Sequence, residues 1–205
     1  METTTFEDKD VQYAYGSVHD FFDSYHVHVA LKETENVIKA AARHKAWSGD
    51  YPYRPIYFMD KMQELIHAAY CIHERQGIRD ACMVSATTPT GEPELVEQDF
   101  VCSNPFSNAW NNMPRHLGAA QYLNPYKAIA KFTAYMTEPA WRKACKDLGE
   151  YALSNSSIEV VYSCCTILSI RLHLLRLVEA CHLLELRSNR PGGDTITNKR
   201  KVKTK

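Results

Sequence analysis

At 205 residues, 45% apolar and 23% charged, the chain is long enough to bury a core without metal or disulfide staples, and too apolar to be an unfolded polyelectrolyte. Its seven cysteines are odd in number and form no Cys-x-x-Cys pair, which argues against a disulfide framework and a zinc ribbon and for reduced, structural thiols. The formal net charge of zero conceals an asymmetry: residues 188–205 carry six basic groups against Asp194, so the preceding 187 residues sum to −5.

Residues 1–10 lack the positive flank and apolar run of a secretion signal. No later stretch reaches the roughly 18 uninterrupted apolar residues of a membrane span. A soluble, cytoplasmic protein is expected.

The first periodic segment predicts a helix over 17–45, with Ser17 as its cap and Phe22, Val29, Val37, Ala40, Ala41 and Trp47 on one face. Gly49, Asp50, Pro52 and Pro55 then break the chain. A second helix over 56–76 carries Phe58, Met62, Leu65, Ile66, Ala69 and Ile72 on one face and stops at Gly77. Between 81 and 123 the periodicity fades among prolines and glycines, giving a long irregular connection with room for a hairpin across 83–101.

Asn124-Pro125 opens a helix through Ile129 and Phe132 to about Met136. Thr137-Glu138-Pro139 opens another, with Trp141, Cys145, Leu148 and Ala152 aligned. The last helix, over 157–187, is apolar nearly all round. Val161, Cys165, Leu168, Leu172, Leu175, Leu183 and Leu186 form its main stripe, and Ile167, Ile170, Leu174, Leu177, Cys181 and Leu184 form a second surface. The whole reads as an all-α bundle of about four to five helices over 1–187, followed by a flexible basic tail over 188–205.

Two Glu-x-x-His tetrads, Glu64/His67 and Glu179/His182, resemble those of di-iron carboxylate bundles. Glu33 or Glu35 and Glu150 could supply the single glutamates of the other two helices, but stepping 100° per residue turns Glu64 and His67 toward solvent and puts Glu150 opposite Trp141. Glu33 and Glu179 fall within apolar stripes and need partners if buried. His26 or His44 is within reach of Glu33, and Arg176 or His182 of Glu179.

The same residues suggest a polar pocket between the first and last helices, with His26, Glu33, Glu179 and His182 as candidate metal ligands and Glu33, Glu179 and His182 as candidate catalytic groups. His19, Asp23 and His26 share one side of the first helix as a metal site could require, although a polar flank explains them more simply. Arg176 and His182 have the spacing of helical RNases of the HEPN type, but Leu177 follows the arginine and the two side chains diverge by about 120°. No phosphate-binding glycine loop, nucleophile elbow or zinc helix is present.

The leading expectation is therefore a non-enzymatic interaction protein without a cofactor. Its tail cations Lys199, Arg200, Lys201, Lys203 and Lys205 would attract nucleic acid or another polyanion. The aromatic segment from Phe100 to Tyr126 offers a surface for a protein partner or a cover over the second apolar surface of the last helix, and the cover favours a monomer over a homodimer. The alternative is a metal-dependent or acid–base enzyme built on the Glu33 and Glu179 pair. Glu179→Leu is expected to be tolerated better than loss of the partner that neutralises Glu179.

Overall fold

Phe21 and Tyr25 close on Phe58, with ring centroids 6.4 and 5.2 Å away, and this aromatic knot joins the N-terminal arm to the centre of a helical bundle. The computed structural model describes residues 6–49, 51–75, 77–79, 82–83 and 113–188, and all regular elements among them are helical. They are α1 (Phe6–Ser24), α2 (Val27–Ala41), α3 (Arg54–Glu74), α4 (Ala119–Leu123), α5 (Tyr126–Tyr135), α6 (Glu138–Ala152), a 3-10 turn (Ile158–Val160) and α7 (Cys164–Ser188). The all-α bundle is as expected, with more helices because the segment over 17–45 divides and α4 forms within the expected irregular connection.

The expected helix over 17–45 is two helices, the first starting at Phe6, so that Ser17 is no cap but lies inside α1 and donates to the Tyr13 carbonyl at 3.2 Å. His26, at φ −56° and ψ 144°, leaves the helical region and accepts the N–H groups of Val29 and Ala30, so α2 restarts there and ends at Ala41. The break shifts the inward face: Val37 and Ala41 are buried as a single helix predicts, but Val27, Ala30 and Ile38 join them while Val29 and Ala40 are only half-buried. The expected helix over 157–187 likewise begins late. Ser157 caps only the 3-10 turn, accepting the Glu159 N–H at 3.2 Å, and Ser163 opens α7 by accepting from the Thr166 N–H. Helices α3, α5 and α6 begin within two residues of their start signals.

Helix α3 packs against α1, α6 and α5, while α7 packs against α2, α5 and α1. The expected stripes of α3 and α6 are wholly buried, from Phe58 to Ile72 and from Trp141 to Ala152. Phe132 and Trp141 stack at 4.2 Å where α5 meets α6. No helix among the described residues is long and apolar enough to cross a membrane.

The orientation of α7 reverses the expectation. Ile167, Ile170, Leu174, Leu177, Cys181 and Leu184, the supposed second surface, lie in the main core. At the start of α7 it is the supposed main stripe that faces out, with Cys165 exposed and Leu168 63% exposed, as is Val161 just before the helix at 47%. Only toward the C-terminus, at Leu175 and Leu183, are both faces covered. Leu183 and Leu186 meet Met113, Leu117, Tyr122 and Leu123, so the described part of the aromatic segment covers α7 at that end. Residues 100–112 of that segment, most of the possible hairpin over 83–101 and the tail beyond Ser188 lie outside the described residues.

Candidate anion-binding groove

Glu33 and Glu179 are both buried, yet each is engaged separately, which corrects the expectation of a shared pocket. Glu33 Oε1 accepts from Arg54 Nη2 at 2.7 Å, across the start of α3, and neither His26 nor His44 is its partner. His26 is exposed in the α1–α2 break and stacks on His28, while His44 lies exposed beyond the end of α2.

Glu179 is held by a segment 62 to 64 residues away in sequence. Its carboxylate accepts the backbone N–H groups of Arg115, His116 and Leu117 at 2.7, 2.8 and 3.1 Å, and His116 Nδ1 lies 2.8 Å from Oε1. Arg176, one turn away, donates from Nε to the His116 carbonyl at 3.0 Å instead of to Glu179. Successive N–H groups forming a concave nest are a common anion seat, and here the protein's own carboxylate fills it.

His182 does not pair with Glu179. Its ring packs 5.0 Å from Phe22, both ring nitrogens lack a hydrogen-bond partner, and burial pushes its pKa down to about 4. Glu64 and His67 are exposed and bound to Lys61 and Glu138, and His19 is bound to Glu185. No group of three or more His, Cys, Asp or Glu side chains among the described residues is arranged to hold a metal ion.

Two other polar arrangements escaped sequence reasoning. Arg187 is fully buried, donates from Nη1 to the carbonyls of Cys82 and Tyr122 at 2.9 Å each, and lies over the Tyr122 ring. Tyr15 and Tyr126 join their hydroxyls at 2.5 Å, and the pair ties residues 77–79 to α1 and α5.

The arrangement best suited to meet an outside ligand lies where α2 ends. Past Ala41 the chain folds back along the bundle, because the Trp47 N–H donates to the Ala152 carbonyl at 2.8 Å and the Ala46 N–H to Asn155 Oδ1 at 3.3 Å. The Trp47 indole packs against the core, and Gly49 lies over its edge so closely that a Cβ there would stand 2.4 Å from Nε1. A side chain at position 49 would displace the indole. The fold-back leaves an open groove of about 370 Å³ walled by Asn36, Lys39, Arg43, Lys45, Trp47 and Ser48.

No family model, curated protein or solved structure matches this chain.

The groove's own chemistry is therefore the guide to what it does. Its charged lining residues are all cations. Lys39 leans on Glu35 at 3.4 Å, whereas Arg43 and Lys45 make no ion pair among the described residues. Cations at a helix C-terminus complement the dipole, but that accounts for Lys39 and Arg43 better than for Lys45, which lies four residues past Ala41. Between Asn36 and Tyr57 the sequence holds Lys39, Arg43, Lys45 and Arg54 against the single acid Asp50, a positive stretch on a body of net charge −5. The sequence signal was present in Arg43-His44-Lys45-Ala46-Trp47. It was hidden because those residues read as the frayed end of an amphipathic helix.

Proposed function

We propose that the protein is a non-enzymatic, cytoplasmic binding protein that holds a polyanion in the groove at the end of α2, with Lys199, Arg200, Lys201, Lys203 and Lys205 of the tail as a second contact. The observation that carries this reading is the groove itself, whose Arg43 and Lys45 line open space without carboxylate partners among the described residues. Point charges spaced along a groove attract phosphate or sulfate groups and release their counterions. The free, buried thiols of Cys82, Cys145 and Cys181 support a reducing compartment. An enzyme built on Glu33, Glu179 and His182 has less support, since one carboxylate is tied to Arg54 and the other to residues 115–117.

Heparin and nucleic acid titrated over a range of salt concentrations test the proposal. Binding should weaken steeply with salt, and Arg43→Ala/Lys45→Ala should lower the slope by about 1 to 2 units in log–log form. Truncation after Ser188 should weaken binding further while leaving the melting temperature nearly unchanged. Equal binding by the groove variant and the intact chain would refute the role of the groove.

A further inference from the structure

Just past the groove the chain reads Tyr51-Pro52-Tyr53-Arg54-Pro55-Ile56-Tyr57. Its three tyrosines are among the most exposed large side chains described, at 56% for Tyr51, 65% for Tyr53 and 52% for Tyr57. The Tyr51 and Tyr53 rings stand 6.1 Å apart at 50° to one another, so neither covers the other's face. Exposed aromatic surface in such density calls for an explanation, because tyrosines that contribute only packing turn their rings inward.

Three features make these rings a platform and not a loose loop. Pro52 and Pro55 restrict the backbone on either side of Tyr53. Arg54, between the prolines, is tied to buried Glu33, which fixes the start of α3. Gly149 of α6 packs against Ile56 with its backbone 3.4 Å from where a Cβ would be, bracing the first turn from beneath. Tyr51 is two residues beyond Gly49, itself a lining residue of the groove, so the step between them spans no more than about 7 Å.

We propose that the polyanion is a single-stranded nucleic acid, whose phosphates lie along Lys39, Arg43 and Lys45 and whose unpaired bases stack on Tyr51 and Tyr53. This rests on the groove reading and adds the ligand class. A cationic track beside exposed aromatic faces is the arrangement that distinguishes single strands from other polyanions. Heparin and polyphosphate have no π-faces to stack, and a duplex hides its base faces within the helix. Tyr57, one turn into α3, extends the platform for a further base.

The test measures fluorescence anisotropy of a labelled single-stranded oligonucleotide of about 15 nucleotides, long enough for one binding site. A duplex of the same sequence and heparin are run in parallel, with the full chain and the variants Tyr51→Ala/Tyr53→Ala and Arg43→Ala/Lys45→Ala. The single strand should bind tightest. The tyrosine variant should lose about 10- to 100-fold for the single strand with heparin binding unchanged, whereas the cation variant should weaken both. Thermal melting of each variant shows that the exposed substitutions leave the fold intact. If single strand, duplex and heparin bind alike and the tyrosine variant changes none of them, the stacking proposal is overturned and the groove reading stands. If the chain binds none of the three, both fall.

Discussion

His116 and Glu179 meet twice: the His116 backbone N–H donates to Glu179 Oε2 at 2.8 Å, and its Nδ1 lies 2.8 Å from Oε1. With the N–H groups of Arg115 and Leu117 on the same carboxylate, one buried side chain of α7 holds the loop that leads into α4.

This geometry reverses the expected ranking, in which Glu179→Leu is tolerated better than loss of its partner. Glu179→Leu strands three backbone donors that no side-chain substitution can remove, at a cost of about 2 to 5 kcal/mol. His116→Ala removes only the imidazole contact, which is partly open to solvent, and should cost about 1 kcal/mol or less. Urea unfolding of the two variants should rank them in that order, and a milder effect for Glu179→Leu would contradict it.

His182 makes stability fall with acid. Its pKa is near 4 in the folded chain, against an ordinary 6.5, because burial disfavours the charged ring. The unfolded chain therefore takes up a proton first, and stability is full above about pH 6.5 and declines toward pH 4, by up to about 3 kcal/mol. His19 acts with the opposite sign, since its hydrogen bond to Glu185 raises its pKa, but its exposure keeps the effect small. His182→Phe should flatten the dependence between pH 4 and 6.5, and an unchanged slope would show that another group dominates.

The hydroxyls of Tyr15 and Tyr126 form a directed chain. Arg79 N–H donates to Tyr126 at 2.9 Å, Tyr126 donates to Tyr15, and Tyr15 donates to the Gly77 carbonyl at 2.8 Å. Tyr126→Phe removes two of the three links, leaving only the Tyr15 bond to the Gly77 carbonyl, and should cost about 1 to 3 kcal/mol. Tyr15→Phe added to it should cost less than its effect alone, because the shared link is already gone. Burial pushes both hydroxyls, and that of Tyr162, well above the ordinary tyrosine range, so alkaline difference spectra should show three tyrosines that ionise only as the protein unfolds.

Leu174 and Leu168 separate two accounts of α7. Leu174 is fully buried, whereas Leu168 is 63% exposed. Leu174→Glu should unfold the chain, while Leu168→Glu should leave both the melting temperature and a monomeric mass by light scattering unchanged. A dimer dissociated by Leu168→Glu would show instead that the exposed stripe is an interface between copies.

The sequence alone determined the helical class and the inward faces of α3 and α6, because Phe58 to Ile72 and Trp141 to Ala152 alternate apolar and polar residues at a period only one face can satisfy. It also marked the starts at Asn124-Pro125 and Thr137-Glu138-Pro139, where the chemistry of capping is local. The break at Tyr25–His26 has no such mark. It is decided by the rings of Phe21 and Tyr25 reaching Phe58, more than thirty residues on. In α7, apolar on every side, periodicity could not choose a face, and the choice fell to α1, α2 and α5 packing against it. The burial of Glu179 was legible from its neighbours Leu172, Leu175 and Leu183, but its partners were not. Backbone N–H groups occur at every residue but proline, so only the tertiary fold could bring residues 115–117 to that carboxylate.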